Sequence, residues 1–422
     1  MSENEIYVSL DIGTSTTKVI IAEHTDGKLN VIGVGRAPSE GIRRGTVVDI
    51  EKTVEAIKAA IRQAEDMVGV TIQRVVVSML NFQTNLARCH GMIAIKNENN
   101  EITANDIQDV IESAQAIAKP SDRETISFES CVYKVDGVEG ISDPTGMFGV
   151  RLEVEGTLIT GSKSIVHNIL RCVERAGLEV TGMVLQPLAA AETCLTKDDR
   201  DFGTVLIDIG GGITSVGVFD QGQLIDAFAI PVGGSQITKD VSIGLNISLR
   251  QAEQIKLEHG YAYANDASTA ETFEIDVIGG SKPIIINQTD LSVIIEARLE
   301  EILMMVNDEL VRAGLNKLPN GYILTGGTTV IPGMMEIAEQ VLQARVRIVY
   351  PDYIGVRHPS LSTAVGLISY EIEHGEPNEL QEYEDQSVNA PQERMKEPKA
   401  EEDKLVNKMK KNVWFIIRIT QN

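Results

Sequence analysis

The sequence predicts an α/β protein of two lobes, with a duplicated core and a small inserted α+β subdomain. Three observations predict it. One motif occurs twice, as Asp11-Ile12-Gly13-Thr14-Ser15-Thr16-Thr17-Lys18-Val19 and as Asp208-Ile209-Gly210-Gly211-Gly212-Ile213-Thr214-Ser215-Val216, with Asp, Ile, Gly, Thr and Val at the same offsets. Each copy lies between apolar runs, Ile6 to Leu10 and Val19 to Ala22 for the first, Thr204 to Ile207 and Val216 to Phe219 for the second. That is the pattern of a β-hairpin with a glycine and hydroxyl tip. Between the copies, residues 84–162 change composition and alternate short strand-like runs with one acidic helical stretch, as an inserted module would.

In chain order, residues 6–22 read as the first hairpin and Asn30 to Gly35 as a further strand. Asp49 to Val68 reads as a helix, because Val54, Ile57, Ala60, Ile61 and Ala64 recur at helical spacing and Asp49 can cap its start. These elements form the first lobe over residues 1–83. Strand-like Arg74 to Met79 then leads to the insert, with a strand at Met92 to Ile95, a helix from about Thr103, and strands at Ser127 to Val135 and Val150 to Leu158. The first lobe resumes at 163–200 with a helix from Lys163 to Ala176 that stops at Gly177. Gln186-Pro187 then opens an Ala-rich helix, where proline suits the first turn. The second lobe, 201–360, follows the second motif with a strand from Ile225 to Val232 and one helical stretch up to His259, stopped by Gly260. Leu291 to Ala313 is a long helix with an apolar stripe, within a subdomain at about 236–312. Tyr322 to Thr325 is a strand feeding a double-glycine turn, and 361–374 is a helix returning to the first lobe.

Composition narrows the function. The chain has 422 residues, 43% of them hydrophobic, and a net charge of −23. Such a charge repels nucleic acid at long range, so nucleic acid is not expected as a partner. No run has the length of a membrane span, and Met1 to Ile6 lacks the order of a signal peptide, so the expected compartment is the cytoplasm. Cys89, Cys131, Cys172 and Cys194 have no CxxC spacing and read as reduced thiols, not as a disulfide frame or zinc site.

Phosphate chemistry is the reading of the repeat. A phosphate needs donors close to its oxygens and no bulky side chain in the way; glycine admits the backbone N–H, and Ser or Thr adds a hydroxyl. Gly13, Thr14, Ser15, Gly210, Gly211, Gly212 and Thr214 supply that set. Lys18 would place a cation on the outer phosphates, and Asp11 and Asp208 would reach Mg²⁺ through its waters, since that ion keeps much of its hydration. Taken singly, an Asp-x-Gly is equally a tight turn; the duplication between strands is what points to phosphate. Gly326, Gly327 and Thr328 would let the backbone pass an adenine or ribose, or form a turn only. Gln186 would orient an attacking water, or act as a helix cap or core amide.

These residues resemble the actin, Hsp70 and sugar-kinase superfamily. Further segments narrow the resemblance: Gly45-Thr46-Val47-Val48-Asp49, the loop DPTGMFGVRLE from Asp143 to Glu153, VERAGL from Val173 to Leu178, IPVGG from Ile230 to Gly234, AEQIK from Ala252 to Lys256, and LTGG from Leu324 to Gly327. Over residues 5–370 the chain is similar to the FtsA family of bacterial cell-division proteins. The resemblance implies an actin-like fold, ATP and Mg²⁺ between the lobes, polymerisation into short filaments with other copies of itself, and tethering of the tubulin-like protein FtsZ to the cytoplasmic face of the membrane at the division site, where later division proteins join. It assigns Gly233 and Gly234 to a backbone turn near the nucleotide and Glu253 and Lys256 to the ribose and adenine. Arg298 and Glu301 fall on the helix that receives the FtsZ C-terminal tail. One departure bears on chemistry. Gly212-Ile213-Thr214-Ser215 stands where the family usually has G-T-T-D, so a hydroxyl and a carboxylate are missing, and at most slow ATPase activity is expected.

The last part of the chain has a different character. Residues 371–403 hold twelve acidic and three basic side chains with three prolines, the composition of a solvated linker, assigned to 375–403. In 404–422 the only charged residues are Lys404, Lys408, Lys410, Lys411 and Arg418. At 100° per residue Leu405, Val406, Met409, Val413, Ile416 and Ile417 share one face, with Trp414, Phe415 and Ile419 off that stripe. A basic amphipathic helix of this kind lies in the headgroup region of an anionic membrane; a solvated tail, or a helix docked on the body, is the alternative. The β-branched and aromatic run from Val413 to Thr420 weakens helix propensity, so helix formation on lipid is expected. Two other functions share the fold: a small-molecule kinase, which would need a carboxylate base that no separate motif supplies, and a PilM-like pilus-assembly adaptor, which the linker and basic end argue against.

Overall fold

A computed structural model describes residues 5–374, apart from 98 and 119, together with 381–382. Two five-stranded sheets carry the lobes, and their topologies are the same. In the first, Glu5–Ile12, Thr16–Thr25 and Lys28–Pro38 form an antiparallel meander, and Arg74–Met79 and then Glu179–Leu185 add in parallel on the other side of Glu5–Ile12. In the second, Thr204–Ile209, Thr214–Asp220 and Gln223–Ile230 form the meander, and Tyr322–Thr325 and Val346–Ile348 add in parallel. The repeated motif is therefore one part of a repeated sheet. Its register is repeated too: Asp11 pairs with Lys18, and Asp208 with Ser215.

Local rules explain several helix ends. Asp49 accepts from the Lys52 N–H at the start of Ile50–Val68, and Val54, Ile57, Ala60, Ile61 and Ala64 are its buried face. Gln186–Cys194 starts on Pro187 as expected. The long helix begins earlier than its apolar stripe suggests, at Gln288, because Asn287 and Asp290 form a capping box. The stretch expected to run as one helix to His259 is two, Gly234–Gly244 and Leu249–His259. Asn246 turns at φ 51° between them and the Ser248 hydroxyl caps the second, so two turn-forming residues overrule an otherwise helical composition.

The insert is a four-stranded antiparallel sheet of Asn85–Ala94, Arg123–Val135, Val138–Ile141 and Arg151–Ser162. Ala104–Ala118 packs on it, and Ile107, Val110, Ile111, Phe128, Leu152, Val154 and Leu158 form a core separate from those of the lobes. Its first strand is longer than the run Met92 to Ile95 because it lies at the sheet edge, where exposed Arg88 and His90 interrupt the apolar alternation. In the second lobe, Thr272–Ile275 and Ile284–Asn287 form a hairpin ahead of the long helix. The Ser362–His374 helix returns to the first lobe, packing Ala364, Val365 and Ile368 with Tyr7, Ile20 and Ala22.

Within the stretch expected as linker, Gln381–Glu382 pairs antiparallel with Val70–Thr71. The membrane-directed residues Leu405, Val406, Met409, Val413, Trp414, Ile416 and Ile417 lie outside the described residues. No helix among the described residues is long and apolar enough to cross a membrane.

Candidate functional site

The two hairpin tips open on one cavity of about 230 Å³. The first lobe contributes Asp11, Gly13, Thr14, Ser15, Lys18 and Gln186, and the second Asp208, Gly210, Gly211, Gly234, Glu253, Lys256, Gly327 and Thr328. Leu257, Val330 and Ile331 add apolar wall. The cavity lies at the C-terminal ends of the central parallel strands, where open α/β sheets place their ligands.

The two aspartates sit in unequal surroundings. Asp11 accepts from Lys18 Nζ at 2.7 Å on Oδ2 and from the Ser78 hydroxyl at 2.7 Å on Oδ1, so its charge is matched by a cation. Asp208 Oδ2 accepts from Gln186 Nε2 at 2.8 Å and from the Thr363 hydroxyl at 3.3 Å. Burial pushes its carboxyl up to about 6, the Asp11 charge adds to the rise, and Lys18 and the two hydrogen bonds oppose it. Two carboxylates close enough to repel each other, one of them without its own cation, fit a hydrated divalent ion that both could reach through water.

The tips touch each other directly. The Gly212 N–H donates to Thr14 Oγ1 at 3.0 Å, and the Ser15 and Ser235 hydroxyls lie 3.4 Å apart. Glycine is required for that approach: a Cβ on Gly211 would lie 1.9 Å from Ser15 Oγ. The Thr14 hydroxyl thus meets a backbone N–H of the second tip, and the Ser15 hydroxyl the side chain that follows Gly234. At the other end, Lys256 Nζ is buried between Glu253 Oε2 at 2.7 Å, Thr238 Oγ1 at 2.8 Å and the Gly234 carbonyl at 3.3 Å.

Four residues expected at the phosphates or nucleoside, Gly212, Thr214, Gly233 and Gly326, do not line the cavity. Thr214 is fully buried and its hydroxyl donates to the Val232 carbonyl at 2.9 Å. Its counterpart Thr17 is equally buried and bonds Ser39 Oγ at 2.8 Å. The threonine shared by both copies is therefore a tie between the hairpin and the chain beside it. Gly326 lies behind Asp208, and Gly233 behind the Gly210 and Gly211 carbonyls. Arg298 and Glu301 lie away from the cavity on Gln288–Ala313, paired with each other and, through Arg298, with Asp240, whose carboxylate holds the guanidinium above its ordinary value.

Several site residues carried no local signal. Ser78 and Thr363 come from segments outside the motifs, and Ser235 follows Gly234 but bonds the first tip. Ile213, the apolar departure in the second motif, is buried against Gly45, beside Phe82 of the first lobe. Asn81 Nδ2 donates to the Val216 carbonyl at 3.1 Å and the Phe228 carbonyl at 2.6 Å, tying the root of the insert to the second sheet. Asn81→Ala is expected to cost about 1–2 kcal/mol, since it removes two hydrogen bonds to backbone carbonyls of the second sheet. Denaturant unfolding would show it as a lower midpoint at unchanged slope.

Comparison with known proteins decides the family. Residues 205–366 match the family described as Cell division protein FtsA, and residues 83–160 the one described as SHS2 domain inserted in FTSA. Cell division protein FtsA of Bacillus subtilis is 50% identical over 370 residues, 88% of this chain and 84% of that protein. The chain belongs to the FtsA family of cell division proteins. Among solved structures, the PilM-PilN type IV pilus biogenesis complex aligns with a TM-score of 0.60 at 15% identity, over 87% of this chain and 98% of that one. MreB5 of Spiroplasma citri bound to ADP aligns at 0.53 with 14% identity, over 88% and 99%. The fold is thus actin-like with an SHS2 insertion, and the pilus protein shares that fold alone.

Proposed function

We propose that this protein binds ATP with Mg²⁺ in the cavity between the hairpin tips, polymerises at the inner face of the membrane, and anchors FtsZ filaments there while later division proteins join. The observation that carries the reading is the convergence of both motif copies, with Asp11, Lys18 and Asp208, on a single cavity. A solved neighbour of the same fold holds ADP. Lys18 and the tip N–H and hydroxyl groups would take the phosphates, Glu253 and Lys256 the ribose and adenine, and Gly327 and Thr328 the adenosine side. Asp11 and Asp208 would hold Mg²⁺ through its waters, and the ion would neutralise phosphate charge. Arg298 and Glu301 present a charged pair on the second lobe for the FtsZ C-terminal peptide. Residues 404–422 would hold the protein peripherally at the cytoplasmic side of the division site; one such segment binds reversibly, and many along a filament hold firmly.

Pull-down of the full chain with the FtsZ C-terminal peptide tests the reading. Retention on the peptide is expected, and no retention under conditions where MgATP binds would contradict it. Removal of residues 404–422 is expected to leave MgATP affinity unchanged and to abolish co-sedimentation with anionic vesicles. Continued sedimentation of the truncated chain would sink the tether.

A further inference from the structure

We propose that Ser215 is a positioning residue that keeps ATP unhydrolysed by holding the Gln186 carbonyl turned away from the cavity. The proposal rests on the nucleotide reading above and concerns regulation of the same site. Gln186 lines the cavity beside Asp208, whereas Ser215 is buried at 2% exposure on the neighbouring strand and does not line it. The Ser215 hydroxyl donates to Gln186 Oε1 at 2.5 Å, and Gln186 Nε2 donates to Asp208 Oδ2 at 2.8 Å. Chemistry fixes this orientation. An ionised carboxylate can only accept, so the amide nitrogen must face Asp208 and the oxygen must face Ser215.

The consequence falls on the attacking water. In hydrolysis the water oxygen forms a bond to the γ-phosphorus while the bond to the bridging oxygen breaks, ADP leaves with the electron pair, and the water's proton passes to an acceptor. An amide assists by accepting a hydrogen bond from that water through its oxygen. Here the oxygen is engaged by Ser215, which does not line the cavity, and the nitrogen by Asp208, which does. Both ends of the amide are held, so the side chain cannot turn without losing two hydrogen bonds. An aspartate at position 215 would accept instead of donate and would leave Gln186 Oε1 without that bond. Asp208 thus sets which way the amide faces, and the serine hydroxyl holds its oxygen there.

Single-turnover release of radiolabelled phosphate from bound MgATP, with affinity measured separately on the full chain, tests this. Ser215→Ala frees Oε1 and is expected to raise the rate on the order of tenfold, short of the hundredfold or more that a fully built acid–base group supplies. Ser215→Thr keeps the hydroxyl and should stay at the wild-type rate. In the Gln186→Ala background the gain from Ser215→Ala should vanish, a coupling that a purely structural role would not produce. A Ser215→Ala protein that binds MgATP yet hydrolyses it no faster than wild type overturns the proposal, as does a gain that survives without Gln186. Failure of the wild-type chain to bind MgATP at all would remove the nucleotide reading along with it.

Discussion

Asp208→Asn is expected to stabilise the nucleotide-free protein and to weaken its MgATP binding. The Asp208 carboxyl is pushed from the ordinary 3.8 up to about 6, burial first among the causes. Asn keeps an oxygen to accept from Gln186 and Thr363 and removes a charge that the nucleotide-free site holds at a cost. The sign follows from linkage. Because the folded pKa is raised, the penalty is absent below 3.8, grows as pH rises, and is complete above about 6. Wild-type stability should therefore fall by about 2 kcal/mol across that window, and Asp208→Asn should lack that part of the slope. Affinity for MgATP should drop by about 10- to 100-fold, the usual effect of removing a group that orients a metal's waters. Thermal unfolding at pH 4.5 and 7, alongside titration with MgATP, checks both halves. A variant less stable than wild type at neutral pH, or one that binds MgATP as well, would contradict the account.

Gly326→Ala is expected to damage both stability and the site. Gly326 has φ 97° and ψ 158°, a region that only glycine enters readily. A Cβ there would lie 2.2 Å from Asp208 Oδ1 and 2.6 Å from the Ile209 carbonyl. Neither atom can retreat easily, since the carbonyl belongs to the end of a central strand and the carboxylate is held by two donors. Backbone strain and overpacking together should cost about 4 kcal/mol. Gly327→Ala is the control. Its Cβ would meet only Ser360 Cβ, at an ordinary 3.4 Å, and its φ is not in the left-handed range. Equal unfolding midpoints for the two variants would show that the turn behind Asp208 does not act as described.

What the sequence displayed and what it hid follow one physical division. The hairpins, the Asp49 cap and the Ala-rich helix after Pro187 are written in local alternation and capping chemistry, and they stand where that chemistry places them. The break between Gly234–Gly244 and Leu249–His259 does not show in the sequence because helical composition outweighs two turn residues, Asn246 and Ser248. Thr214 reads as a phosphate donor from its motif, but its hydroxyl faces the Val232 carbonyl. Only the paired strand beyond it determines that direction. Ser78, Thr363 and Ser235 reach the site across 67, 155 and 220 residues of chain, and contacts at such separations leave no periodic trace. Ile213 and Ser215 stood out as departures from the family pattern. The structure gives each a partner, Gly45 for the first and Gln186 for the second.

Titration of the wild-type full chain and of Lys18→Ala with MgATP in a calorimeter asks whether the two hairpins hold a nucleotide, because Lys18 is the cation bound to Asp11 at the cavity wall. One site per chain is predicted for wild type, with weaker binding in the variant. No measurable binding by wild type, or equal affinity in both, would contradict a nucleotide clamp built from the two hairpins.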